Sequence, residues 1–116
     1  MLLCGGIEFY FFNKYGNWHL FLEMEILTNI EHGRGAFYIE LNNERLAEMD
    51  FTLSLHTLTI LHTEVSEQLQ GQQIGKRLVA FAADYARANQ LKIIPLCPYA
   101  NAVFKKNHDA YADVLA

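Results

Sequence analysis

Three short stretches of the chain carry residue types able to do chemistry. The first is Cys97-Pro98. Proline suits the first turn of a helix, so Cys97 falls at or near a helix N-terminus, where the pKa of a thiol drops and its thiolate becomes a nucleophile. Without that chemistry, a free cysteine behaves as a small buried hydrophobe. The second is "HTEV" (62–65), in which His62 and Glu64 stand two apart on an expected strand and so share a face, as a proton-accepting pair would. His62 can equally be a side chain hydrogen-bonded within the sheet. The third is "QGQQIGKRLV" (70–79): Gly71 and Gly75 flank three residues, and Lys76 and Arg77 precede an apolar run. A helix N-terminus exposes unpaired N–H groups and partial positive charge, which bind phosphate. Two cations in the first turns oppose the macrodipole, and a bound anion would relieve them. The plain alternative is loop-to-helix punctuation with solvated cations. Two phosphate motifs are excluded. A Walker loop needs four residues between its glycines and Ser or Thr after the lysine, and G-x-G-x-x-G is absent.

These stretches need elements to hold them. "EILTNIE" (25–31) predicts a first strand and "HGRG" (32–35) a turn. Phe37, Ile39 and Leu41 alternate with polar neighbours, as on a half-buried strand, and Asn42-Asn43 reads as a tight turn because Asn tolerates positive φ. In the next strand Ala47, Met49, Phe51, Leu53 and Leu55 point one way, and Glu48, Asp50, Thr52, Ser54 and His56 the other. "LTILHTEV" (58–65) is rich in β-branched residues. Short turns join these strands, which makes neighbours antiparallel. The period then changes: Ile74, Leu78, Phe81, Ala82 and Tyr85 mark an amphipathic helix starting at about Gln72. "LKIIPLC" (91–97) is a short strand that Pro95 keeps from full pairing, and a last helix covers roughly 99–107. The fold class is α+β: a β-meander, a helix, a strand and a helix, with a helix crossover between the last two strands.

The length of 116 residues suits one small domain with a single core. Residues 1–23 hold seven of the fifteen aromatics and the only tryptophan, whereas clean patterning opens at Met24. The expected division is the domain proper over 24–116, preceded over 1–23 by an aromatic-rich N-terminal segment that is either an extension or an artefact of the assigned start. The alternative is an extra strand or flap packed on the core. No positively charged n-region precedes an apolar stretch there, and Glu8 and Lys14 interrupt it, so the segment reads as neither signal peptide nor membrane span. The net charge of −4 argues against nucleic acid as the main partner. Cys4 and Cys97 make neither a disulfide framework nor a metal-ligand spacing, so no metal is expected and the simplest setting is reduced and cytoplasmic.

The Gly loop resembles the acetyl-CoA loop of the GNAT N-acetyltransferase superfamily, Q/R-x-x-G-x-G/A. Gln70 matches its first position and Gly75 its last, while Gln73 replaces the middle glycine. With "HTEV", the Gly loop, "PLCP" and "HDAYADVL" in that order, residues 24–116 are similar to the minimal GNAT-like family of short single-domain proteins. The resemblance implies the GNAT-like acyl-CoA N-acyltransferase fold, a mostly antiparallel twisted sheet in which the strands at 58–65 and 91–97 splay into a V-shaped cofactor cleft. The pantetheine arm of acetyl-CoA would pair with backbone near Leu61, Thr63 and Val65. Backbone N–H groups of Gln70, Gly71, Gln72, Gln73, Ile74, Gly75 and Lys76 would cradle the pyrophosphate, with Arg77 and Tyr99 beside the cofactor. Gln73 keeps its N–H, but its Cβ would hold the phosphate further off than glycine does.

The activity this implies is transfer of acetyl from acetyl-CoA, the co-substrate, to an amine of a protein or small molecule. Such transfer needs a base for the amine proton, donors for the oxyanion and an acid for the thiolate. His62 or Glu64 would act as base through water. Cys97 offers a covalent route, its thiolate attacking the thioester. Tyr99 is a candidate acid, although Tyr99 and Phe104 also suit a core. His108 and Tyr111 fit the tail of the family pattern and would close the rim of the cleft. Typical members wall the acceptor side with helices between their first two strands; "HGRG" alone stands there, so a shallow, open acceptor side is expected. A monomer or weak homodimer is expected. Two other readings stay open: a non-catalytic CoA-binding module acting through a protein partner, and an unrelated anion-binding α+β domain.

Overall fold

His32-Gly33 and Asn42-Asn43 all take positive φ, at 53°, 78°, 52° and 64°. Two consecutive left-handed residues make the two-residue turn whose twist matches that of the flanking strands, so each pair closes a tight hairpin. In the computed structural model of the chain, residues 25–116 are described throughout. In the N-terminal segment only the backbone of β1 (Tyr10–Phe12) and β2 (Trp18–Leu20) is described, and these pair antiparallel. The aromatic side chains of 1–23, and with them the choice between extension and flap, lie outside the described residues.

The hairpins build a meander of β3 (Leu27–Glu31), β4 (Arg34–Leu41), β5 (Glu44–Leu53) and β6 (Thr57–Val65). Helix α1 (Ile74–Ala88) then crosses over, and β7 (Lys92–Pro95) joins β6 in parallel to complete the order β3-β4-β5-β6-β7. Two helices follow, α2 (Pro98–Lys106) and the single turn α3 (His108–Tyr111). The α+β class and the crossover expected from the sequence are what the chain adopts.

The core lies on one face of the sheet. Phe37, Ile39, Met49, Phe51, Leu58, Ile60 and Ile93 are all fully buried there, and α1 lays Ile74, Leu78, Ala82 and Ala86 over them. Phe37 is the hub, with ring centroids 4.4 Å from Phe51 and 5.0 Å from Phe81. Burying such side chains contributes roughly 1.5–3 kcal/mol each. Val103 and Phe104 of α2 extend the same core, and Phe104 meets Tyr111 edge-on at 5.1 Å. The C-terminus is tied back by Arg87, whose Nε donates to Asp113 at 2.8 Å and whose Nη2 donates to the Ala110 carbonyl at 2.9 Å.

Three boundaries differ from the sequence reading. Leu55 does not point inward: β5 stops at Leu53, the Ser54 hydroxyl hydrogen-bonds that of Thr57 across the turn, and Leu55 is 85% exposed at its tip. α1 starts at Ile74 rather than Gln72, because Gln73 adopts φ 59° and its carbonyl accepts the first helical bond, from the Arg77 amide. β7 ends at Pro95, since Leu96 and Cys97 both donate their N–H to the Ile60 carbonyl as the chain turns into α2.

Candidate active site

β6 carries one residue more than its partner strand. Asp50 pairs with His62 but Phe51 pairs with Ile60, leaving Leu61 as the extra residue of a β-bulge. A bulge reverses the alternation of side chains beyond it. Before Leu61 the even-numbered Leu58 and Ile60 face the core; after it the odd-numbered Thr63 and Val65 take that face, opposite Met49 and Ala47. His62 and Glu64 are thereby turned outward. Their side chains are 59% and 73% exposed, with Nε2 and Oε1 4.0 Å apart.

The other edge of β6 is shared with β7 only from Thr57 to Ile60. Beyond Ile60 the two chains part, and among the described residues no strand pairs with that edge from Leu61 to Val65. This is the V-shaped opening expected from the sequence. A cleft of about 400 Å³ lies within it, lined by Thr63, Val65, Leu69, Gln70, Gly71, Gln73, Ile74, Gly75 and Tyr99. Eight of these nine are sequence candidates. The ninth, Leu69, was missed, although an apolar residue within the polar "EQLQGQQ" was a usable signal: it is buried and anchors the loop to the core.

The loop is built locally. The Ser66 hydroxyl accepts the Gln68 amide at 3.3 Å and caps a 3₁₀ turn over Glu67–Leu69. The Gln70 and Gln72 amides then donate to the Glu67 and Leu69 carbonyls. Those two N–H groups are spent inside the loop, so of the residues expected to cradle a pyrophosphate, Gln70 and Gln72 have no backbone N–H left to offer. Gly71 holds φ 84°. Gln73 is the N-cap of α1 and provides no side-chain cap, which leaves the first-turn amides directed at the cleft end. Gly75 serves packing as well: a Cβ there would come within 2.7 Å of the Tyr99 ring carbons Cε2 and Cζ. Gln72, Lys76 and Arg77 do not line the cleft; Lys76 is exposed, and Arg77 is half-buried with its pKa pulled down by burial.

Cys97 stands immediately behind this wall. It is the N-cap of α2 with Pro98 at the first helical position, it is 4% exposed, and its Sγ lies 3.5 Å from Thr63 Oγ1. Burial pushes the thiol up. Its hydrogen bonds with the Thr63 hydroxyl and with the backbone at Ala100, Tyr99 and Thr63 more than offset it, and the net shift is downward. The Tyr99 hydroxyl moves the other way, raised by burial and then by the charge of Cys97. Cys97 and Tyr99 are therefore brought together with the cleft, whereas His62 and Glu64 lie across the sheet from them. Leu61 is exposed at the bulge. Among the described residues no cluster of His, Cys, Asp and Glu could hold a metal ion, and no helix is long and apolar enough to cross a membrane.

The GCN5-related N-acetyl-transferase family profile matches residues 36–114. The chain belongs to the GCN5-related N-acetyltransferases. The solution structure of a GCN5-like candidate N-acetyltransferase from Staphylococcus aureus is similar to this one with a TM-score of 0.62 and 35% identity, covering 81% of this chain and 89% of that one. A ribosomal-protein-alanine N-acetyltransferase from Brucella melitensis biovar Abortus shares the fold at a TM-score of 0.52 and 18% identity, over 74% of this chain and 64% of that one. Comparison with curated protein sequences finds no match. The acetyltransferase fold and class expected from the loop and "HTEV" are thus the family's own.

Proposed function

We propose that this acetyltransferase uses acetyl-CoA and delivers the acetyl group to an amine. The observation that supports this is the free edge of β6 beyond Ile60, which runs directly into the uncapped N-terminus of α1. A pantetheine arm carries amide groups able to pair with that edge, and a pyrophosphate suits the helix end. Among the described residues no helix covers the sheet face that bears His62 and Glu64, which suits an acceptor presented from outside, such as a protein terminus, an exposed lysine or a loosely held amine.

The transfer is proposed to pass through Cys97. Its thiolate sulfur bonds to the acetyl carbon, the carbon–sulfur bond to CoA breaks, and CoA leaves as a thiolate that takes up the proton Cys97 released. The amine then attacks the acyl carbon, the bond to Cys97 breaks, and the amine proton returns to the sulfur. His62 or Glu64 would assist that second step through water from the acceptor side. The test is intact-protein mass spectrometry after incubation with acetyl-CoA: a hydroxylamine-labile adduct of one acetyl mass is expected on the parent and none on Cys97→Ala, with turnover lost. Turnover that survives Cys97→Ala would retire the covalent route and leave direct transfer with His62 or Glu64 as base. The same uncovered face also suits a CoA-binding module that works through a protein partner. That reading predicts CoA binding without acetyl transfer to any of a panel of amines.

A further inference from the structure

Resting on the covalent route above, we propose that Thr63 is the positioning residue of Cys97: its hydroxyl holds the sulfur against the cleft wall and donates to it once the thiol proton has left. Three features carry this. The bulge at Leu61 is what turns Thr63 to the helix side of the sheet, opposite Met49, so that its side chain lines the cleft instead of facing solvent. Its Oγ1 is 3.5 Å from Cys97 Sγ, across 34 positions of sequence. Cys97 is fixed from its own side as well, since its backbone N–H donates to the Ile60 carbonyl and its carbonyl accepts the Asn101 amide.

A hydroxyl is suited to this place because it both accepts and donates. In the resting enzyme Oγ1 accepts the S–H proton. After deprotonation the hydroxyl rotates and donates to the sulfur, joining the backbone donors at the start of α2. A buried thiolate needs several such donors to exist at all. Valine, the β-branched residue of the same shape, could make neither bond.

The test uses the full chain without acetyl-CoA. Iodoacetamide alkylation is followed across a pH series and read on the Cys97 peptide by mass spectrometry, so that Cys4 does not contribute. Thr63→Val keeps the branched shape and removes the hydroxyl; Thr63→Ser keeps the hydroxyl. The expected result for Thr63→Val is a several-fold slower reaction near neutral pH and a midpoint displaced to higher pH, with Thr63→Ser close to the parent. A Thr63→Val midpoint that coincides with the parent's overturns the proposal, and so does a Thr63→Ser profile that follows Thr63→Val. Should Thr63→Val fail to fold, Thr63→Ala is read in the same way. Because no acetyl-CoA is present, this readout is separate from adduct formation, and failure of the covalent route leaves it interpretable.

Discussion

A hydrogen atom is all that fits between Gly75 and Tyr99. The loop motif explains this glycine by close approach of a phosphate, but the structure adds a second demand, because the Tyr99 ring rests where a Cβ would go. Gly75→Ala is therefore expected to push the half-exposed Tyr99 ring aside and to forfeit most of the roughly 0.5–1 kcal/mol that alanine otherwise gains over glycine within a helix, in urea unfolding without any ligand. Combining it with Tyr99→Ala should cost less than the sum of the two single changes, since the variants share one contact. If Gly75 served phosphate approach alone, the alanine would show that gain in full in the absence of CoA. Gly71 presents the opposite case. Nothing lies within 4 Å of a Cβ there, and its φ of 84° is the whole constraint.

At the scale of elements, the C-terminal turn is held by charge as much as by packing. Arg87 on α1 receives Asp113, and Lys92 on β7 donates to the Asp113 carbonyl at 2.6 Å. The Arg87 guanidinium, through its hydrogen bond and then its charge, holds the Asp113 carboxyl below its ordinary value. The unfolded chain therefore binds more protons than the folded one through the acid range, and stability from this pair rises with pH there. It is complete above the usual carboxylate range and is lost as pH falls through the folded value. Asp113→Asn should accordingly melt below the parent at neutral pH, with the gap closing on acidification, as melting temperatures across a pH series would register. The exposed pair makes this a modest effect. Such a link joins residues 26 apart and left no mark in periodicity. What periodicity did disclose were the meander, the crossover helix and the asparagine turn, because each rests on local chemistry: alternation, a 3.6 repeat, tolerance of positive φ. It placed Leu55 inward because alternation alone does not say where a strand stops. It also could not reveal the bulge. Leu58, Ile60, His62 and Glu64 are all even-numbered, and only the change from apolar to polar at His62 hinted that the faces had exchanged. Thr63 and Tyr99 were named from the sequence and do line the cleft, but their shared contact with Cys97 needed the fold.

For the whole molecule, the layers are unequal. Helices and loop cover one face of the sheet, while the other presents Tyr38, Glu48, Asp50, His62 and Glu64. Arg45 stacks over Tyr38 at 3.9 Å there. Burial, then the neighbouring Asp50 and more weakly Glu64, push the Glu48 carboxyl up, with Arg45 pulling against them. Because clean hydrophobic patterning opens at Met24, a chain of residues 24–116 is expected to unfold cooperatively and to gain as much melting temperature from CoA as the full chain does. At a hundredfold excess over Kd, CoA would add about 2.7 kcal/mol to the stability of either chain. Aggregation of the shorter chain, or loss of the CoA response, would place the aromatic segment within the folded unit. The bulge, finally, has a genetic consequence. Along most strands the loss of one residue carries everything beyond it to the opposite face, but deleting Leu61 would remove the bulge, restore strict alternation and leave Thr63 toward Cys97 with His62 and Glu64 still outward. Position 61 should thus be the one place in β6 where a single-residue deletion keeps every neighbour on its face, so that in a library of variants the bulge would be written in the reading of indels rather than of substitutions.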